Sequence, residues 1–198
     1  MPQNSDAMGR PTDEELTERI LTETRDQLAR DGYAGLRIDR IVRAVGCGKS
    51  AVYRRYPDKA SLVAAAVIHV SALGEIPDTG SVREDLLRHA MQNQRTQSQS
   101  PSRMIGLVLF DPEVFPLIWE GFLSHRRDAG VLILDRAIAR GELPSNTARD
   151  IILDAIAGLT LYHQTVKGHR VSPDDYRGVI DALIRTPPLQ ADPETPSP

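Results

Sequence analysis

The chain has 198 residues, enough for one large domain or for two unequal ones sharing a continuous core. Hydrophobic residues make up 40% and charged residues 26%, the balance of a folded, water-soluble chain, which argues against wholesale disorder or a fibrous repeat. The formal net charge of −3 suggests no general affinity for nucleic acid, and the single cysteine, Cys47, excludes an intrachain disulfide and a multi-cysteine zinc site.

A reducing cytoplasm suits this composition. The start, MPQNSDAMGRPTDEEL, lacks the layout of an export signal, and no run approaches the roughly 18 apolar residues needed to span a bilayer, so no membrane association is expected. Thr12 followed by Glu15 forms a T-x-x-E capping box, with Asp13 and Glu14 also suiting the positive end of a helix. A first helix is predicted from Asp13 to Asp31, with Leu16, Ile20, Leu21 and Leu28 on one side and Gly32 as its stop. Ile38, Ile41, Val42 and Val45 recur at i, i+3, i+4 and i+7, giving a second helix of barely two turns that Gly46 ends. A third short helix is predicted from Lys49 to Tyr56, with Val52 and Tyr56 on its inner face and Pro57 halting it. Asp58 can cap a fourth, in which Leu62, Ala66, Val70 and Leu73 continue the pattern to about residue 73.

Gly74 to Gly80 reads as a break. Further helical patterns cover about 82–96, a short apolar piece near 104–109, then 112–140, 147–167 and 174–184. No segment alternates convincingly with period two, no internal repeat is found, and the proline-rich tail TPPLQADPETPSP is expected to be disordered. The fold class is therefore all-α, with about nine helices. The expected division is a disordered 1–12, a three-helix unit over 13–60, a helical bundle over 61–186, and a disordered 187–198. Helix four, about 58–73, links the two folded parts.

Residues 46–56, GCGKSAVYRRY, admit two functional readings. A phosphate-binding loop needs G-x-x-x-x-G-K-[ST], but the residue five before Gly48 is Arg43, and Pro57 leaves only about two helical turns where that loop opens a sustained helix. IGLVLFD, ending at Asp111, mimics the acidic strand of such an enzyme, so a P-loop nucleotide-binding phosphotransferase or NTPase stands as the alternative. The other reading is a helix-turn-helix, whose second helix presents its N-terminal end to the DNA major groove. Gly46 and Gly48 allow the turn, and Ile41, Val45 and Val52 can pack the two helices. Lys49, Ser50, Ala51, Tyr53 and Arg54 are left on or near the outward side: cationic side chains for guanine acceptors, a hydroxyl for several base edges, and a methyl for thymine. From Tyr33 to Ala60, Arg37, Arg40, Arg43, Lys49, Arg54, Arg55 and Lys59 oppose only Asp39 and Asp58, so this window is +5 and the rest of the chain −8.

The stretch GYAGLRIDRIVRAVGCGKSAVYRRYPDKASLVAAAV, Gly32 to Val67, strongly resembles the signature of the tetracycline-repressor (TetR) family of bacterial regulators. The resemblance covers about a fifth of the chain. It implies that Lys49, Ser50, Ala51, Tyr53 and Arg54 face the groove, with Arg55, Lys59 and the start of helix two near phosphates. Arg37 stands where the family usually has a threonine, exchanging a cap for a phosphate contact, and Val42 replaces a customary alanine.

In the C-terminal part, TARDIILDAIAGLTLYHQTVKG is apolar around nearly its whole circumference and must be covered on several sides. The resemblance implies that this helix and the last one pair with their copies across a two-fold axis, with Ile151, Ala155, Gly158, Tyr162, Tyr176 and Ile180 at the dimer interface and a central core helix as the alternative. It further implies double-stranded DNA with an inverted-repeat operator as a partner, and a small-molecule effector that shifts helix four and releases a repressor. Met91, Met104, Phe110, Phe115, Trp119, Phe122, Tyr162 and His163 are candidates for the effector pocket, with plain core packing as the alternative. His69, His89, His125, His163 and His169 form no i, i+4 pair, so no metal site is expected. Cys47 reads as a small filler, with a redox role as its alternative. No G-x-S-x-G or H-E-x-x-H occurs, and neither catalysis nor a cofactor is expected.

Overall fold

Local signals start the helices at Asp13, Lys59 and Pro173 and stop the one that ends at Val45 in the computed structural model, which describes residues 12–71, 73–97, 106, 108 and 110–190. The architecture is all-α. Helix α1 spans Asp13–Gly35, and its capping box is formed: Thr12 Oγ1 accepts from the Glu15 N–H at 3.2 Å while the Glu15 carboxylate accepts from the Thr12 N–H at 2.8 Å. The helix breaks at the predicted stop, Gly32, yet coils again to Gly35 before Leu36 turns into the core. Helix α2, Ile38–Val45, ends at Gly46 as predicted. Helix α3, Lys49–Tyr53, is shorter than the predicted 49–56; its continuation to Tyr56 is a turn in which Val52 O accepts from both Arg55 and Tyr56.

Asp58 caps α4, Lys59–His69, by accepting from the Ser61 N–H at 2.7 Å. The prediction carried this helix to 73, but it ends at His69. Ser71 closes it by donating from its backbone to Ile68 O at 2.7 Å and from its hydroxyl to Val67 O at 3.0 Å, the competition with further helix that serine sets up. Helix α5 is Val82–Gln97. Helix α6 runs over 115–139, as Phe115–Ile118, a π-helical turn Trp119–Leu123, and Ser124–Ala139. Helix α7 is Arg149–Tyr162 continued by a π-helical turn, His163–Lys167, and α8 is Pro173–Arg185, capped by Ser172. The predicted piece near 104–109 lies mostly outside the described residues, although Gly106 and Val108 are helical.

Residues 187–190, assigned above to a disordered tail, are ordered: Leu189 bridges Thr147, Pro188 O accepts from Ala148 N at 2.7 Å, and Gln190 N donates to Asn146 O at 2.8 Å. These bonds tie the chain end to the start of α7.

Two apolar cores result. The first joins Ile20, Leu28, Leu36, Ile41, Val52 and Leu62 from α1 to α4 with Val114 and Ile118 at the start of α6. The second joins Leu86, Ile133, Leu134, Ile152, Tyr176 and Ile180 from α5 to α8. Burial of such side chains contributes about 1.5–3 kcal/mol each, so α6 is held at one end by each core. Tyr176 is fully buried, its hydroxyl 2.6 Å from Thr160 Oγ1.

The turn between α2 and α3 depends on Gly46, whose φ of 71° is left-handed. Gly46→Ala should therefore destabilise the chain by about 1–2 kcal/mol in urea unfolding without changing the m-value, because the cost lies in the native backbone.

Candidate nucleic-acid interface and ligand cavity

Val52, fully buried, pegs α3 to the first core beside Ile41 and Val45. With that face fixed, helical geometry turns Lys49, Ser50, Tyr53 and Arg54 outward, and all four are exposed while Ala51 is half-buried. Tyr53 is 47% exposed, a large aromatic ring held in water at the end of a cationic helix. Lys49 Nζ lies 2.6 Å from Asp39 Oδ1, and this hydrogen bond, then the carboxylate's charge, holds its amine above the ordinary lysine range. Arg54 lies 3.7 Å from Asp13. Such exposed, solvent-screened pairs contribute little to stability, so phosphates can replace the carboxylates at small cost.

The other three cations of the candidate DNA-binding set, Arg55, Lys59 and the exposed Arg37, make contacts within the chain. The Arg55 side chain is 11% exposed and acts as a strut from α3 to α1: Nε donates to Thr17 Oγ1 at 3.0 Å, Nη1 to Ala51 O at 2.6 Å, and Nη2 pairs with Asp13. Arg37 makes no side-chain cap for α2 and instead donates to Ala34 O at 2.6 Å and Leu36 O at 3.1 Å, satisfying carbonyls at the end of α1. Lys59 Nζ sits 4.2 Å above the Tyr33 ring; burial, then the nearby Arg37 charge, lowers its pKa. The Tyr33 hydroxyl in turn donates to Glu113 at 2.9 Å, linking this module to the approach to α6. The phosphate-loop geometry is not what forms: Gly48 precedes a five-residue helix, and Asp111 accepts from the N–H groups of Glu113 and Val114 as the cap of a turn.

A cavity of about 420 Å³ opens between α5, α6 and α7. Phe115, Trp119, Leu123, Leu153, Ile156 and Leu161 supply apolar wall, and His89, Arg126, Arg127 and Asp154 supply polar groups. Arg127 is bound at 2.6 Å by Asp150 and at 2.8 Å by Asp154. Arg126 is 5% exposed; its Nη2 donates to His89 O at 2.7 Å and lies 3.3 Å from His89 Nδ1. Burial brings the guanidinium down to about 10, still charged at neutral pH. Burial first, and the Arg126 charge second, push His89 down to about 3, leaving a neutral imidazole.

Of the eight candidate pocket residues, Phe115 and Trp119 line this cavity, their ring centres 6.1 Å apart. Met91 packs against the second core, Phe122 is buried in α6, and His163 is buried beside Lys167 and His169, all outside the lining. Phe110 is 82% exposed and Tyr162 52% exposed, so neither is a wall; Met104 lies outside the described residues. Arg126 and His89 were missed by the sequence reading. A signal existed: Arg126 falls in the buried register of α6, with Phe122, Gly130, Ile133 and Ala137.

Ile151, Gly158 and Tyr162 are exposed along α7, with Ala155 half-buried among them. Tyr176 and Ile180, expected at a dimer interface, are fully buried within the protomer, because the apolar stripe of α8 is taken up by the second core. Among the described residues, no helix is long and apolar enough to cross a membrane, and no group of histidine, cysteine and carboxylate side chains could hold a metal ion.

Residues 20–66 match the family model described as bacterial regulatory proteins, tetR family, and residues 76–183, more than half the chain, match that of the tetracyclin repressor-like C-terminal domain. The chain belongs to the TetR family. It is a transcriptional regulator with a DNA-binding helix-turn-helix. It is 28% identical over 169 residues to the HTH-type transcriptional regulator Rv1556 of Mycobacterium tuberculosis, covering 83% of this chain and 84% of that one. It is 27% identical over 147 residues to the DNA-binding transcriptional repressor TetR of Mycobacteroides abscessus, covering 71% and 77%. Its fold is similar to that of the TetR family transcription regulator SCO0332, with a TM-score of 0.59 at 22% identity over 86% of this chain and 97% of that one.

The burial of Arg55 separates it from its exposed neighbours. Arg55→Ala should cost about 1–3 kcal/mol of stability in urea unfolding, while Lys49→Ala, at an exposed position, should leave the urea midpoint unchanged. His89 supplies a pH dependence. The unfolded chain takes up a proton near its ordinary pKa of 6.5, whereas the folded His89 does so only near 3. Stability from this site is therefore full above 6.5 and falls as pH drops toward 3, and His89→Gln should flatten that part of the unfolding profile.

Proposed function

We propose that this TetR-family regulator is a homodimeric repressor that binds an inverted-repeat operator and is released when a small molecule fills the cavity between α5, α6 and α7. Lys49, Ser50, Ala51, Tyr53 and Arg54 read the major groove. Arg37 and Lys59 flank them as phosphate contacts, and Arg55 acts as a strut that keeps α3 in place. The functional division runs from a DNA-binding 13–60 to a ligand-binding and dimerising 61–186. The exposed Ile151, Gly158 and Tyr162 along α7, with the half-buried Ala155 among them, support a self-complementary dimer face in a cytoplasmic protein.

One observation carries the ligand response: residues 113–121 belong to both halves. Phe115 and Trp119 are cavity wall, while Glu113 holds Tyr33 and Ile118 is buried in the first core. Gly121 lets α4 approach so closely that a Cβ there would meet Ile68 Cδ1 at 2.6 Å. A ligand that prefers one position of this segment shifts α4 with it, within the limit set by its differential affinity. Because paired recognition helices must enter grooves roughly 34 Å apart, a small rotation of each α4 is enough to break the match.

Fluorescence anisotropy with fragments of the DNA upstream of the gene tests this reading. The native chain should bind one fragment as a dimer. Tyr53→Ala should weaken binding at least about tenfold at unchanged stability. Lys49→Ala should reduce the slope of log affinity against log salt by about 1. Binding that is independent of both residues would overturn the assignment.

A further inference from the structure

Arg126 is the charged group in the cavity wall that the described residues leave without a counter-charge. Its contacts are all to neutral acceptors: His89 O at 2.7 Å, His89 Nδ1 at 3.3 Å, and a long 3.5 Å approach to Leu73 O. Among the described residues no carboxylate lies within ion-pair distance of it, although it is 5% exposed. The contrast with its neighbour is sharp, since Arg127 is held by both Asp150 and Asp154. A buried guanidinium without a counter-charge is strongly unfavourable, and His89, neutral beside it, offers only lone pairs. The position is also specific, because Arg126 occupies the buried stripe of α6 where an apolar residue would pack at no electrostatic cost.

We infer that the cavity binds a hydrophobic monocarboxylate, its carboxylate paired with the Arg126 guanidinium and its alkyl or aryl body laid along Phe115, Trp119, Leu153 and Ile156. The inference rests on reading this cavity as the effector site. A guanidinium makes charge-assisted hydrogen bonds to a carboxylate; with Nη2 engaged by His89, the carboxylate accepts from Nη1 in place of Leu73 O. A dianionic phosphate fits less well: among the described residues one cation of the cavity wall is without a carboxylate, Arg127 is held by two, and the Asp154 carboxylate in the wall repels a second negative charge. The volume of about 420 Å³ lies in the range of pockets that enclose a small organic ligand. Pairing at Arg126 would also compete with its contact to Leu73 O, four residues past the end of α4, which gives the carboxylate a direct lever on the segment that carries α4.

Trp119 is the chain's one tryptophan and lines the cavity, so its emission reports occupancy without any DNA present. The chain is titrated with decanoate and 4-butylbenzoate, with their primary amides, and with decyl phosphate. The acids should give saturable changes, with the amides weaker on the order of 10- to 100-fold, the range of a charge-assisted hydrogen bond. Arg126→Gln should bind acid and amide alike, and Arg126→Lys should restore part of the preference, with circular dichroism confirming that each variant is folded. Amides binding the native chain as tightly as acids would overturn the inference even if no variant folds. So would decyl phosphate binding more tightly than decanoate, a preference that survives in folded Arg126→Gln, or the absence of any emission change. Adding decanoate to the DNA complex separates the two claims: acid-selective emission without DNA release keeps the carboxylate site and overturns its role as an effector site.

Discussion

Helix α6 is anchored in two different apolar cores, and the rest of the molecule is organised by that constraint. Ile118 near its start is buried with α1 to α4, while Ile133 and Leu134 further along are buried with α5, α7 and α8. Packed side chains have discrete arrangements, so displacement at one end of such an element is not absorbed by gradual deformation. Between the two anchors lies the π-helical turn Trp119–Leu123, which is also the wall of the cavity and the seat of Ile68 from α4. Extra-residue turns of this kind recur at functional sites because they re-aim side chains without ending the helix.

Three arginines show how burial decides what the same side chain does. Arg54 is exposed and loosely paired, leaving its charge available to a polyanion. Arg55, the next residue, spends its donors on Thr17, Ala51 and Asp13, so its charge helps to hold the recognition helix against α1. Arg126 is buried with no carboxylate among the described residues at ion-pair distance, held by His89 in the wall of a mostly apolar cavity. The acidic remainder of the chain keeps this cationic end distinct: the window from Tyr33 to Ala60 carries +5 and everything else −8.

The helix-turn-helix was legible in the linear chain because every signal that builds it is local. The Thr12–Glu15 box, the 3–4 spacing of Ile38, Ile41, Val42 and Val45, the left-handed Gly46 and the stop at Pro57 each act within a few residues of backbone. Once Val52 is known to face inward, the outward set at Lys49, Ser50, Tyr53 and Arg54 follows from helical geometry. The all-α class follows on the same grounds.

Tertiary packing decided what periodicity leaves open, namely which side of an apolar helix meets a neighbour, a cavity or water. Tyr176 and Ile180 lie on a stripe that a protomer core or a partner could equally have covered, and the core took them. Phe110 and Phe115 are five residues apart with similar surroundings in sequence, yet one stands in solvent and the other lines the cavity. Arg37, Arg55 and Lys59 read as free cations until Ala34, Thr17 and Tyr33 are brought beside them. Hydrogen-bonded local geometry is encoded within a few neighbouring residues, whereas burial and charge pairing depend on partners far along the chain, such as Asp181 on Arg83, 98 positions away. The amino-acid sequence by itself therefore determined where the first four helices begin and which end is cationic; only the folded packing decided that Arg126 lines a cavity and that α6 meets α4 at Gly121.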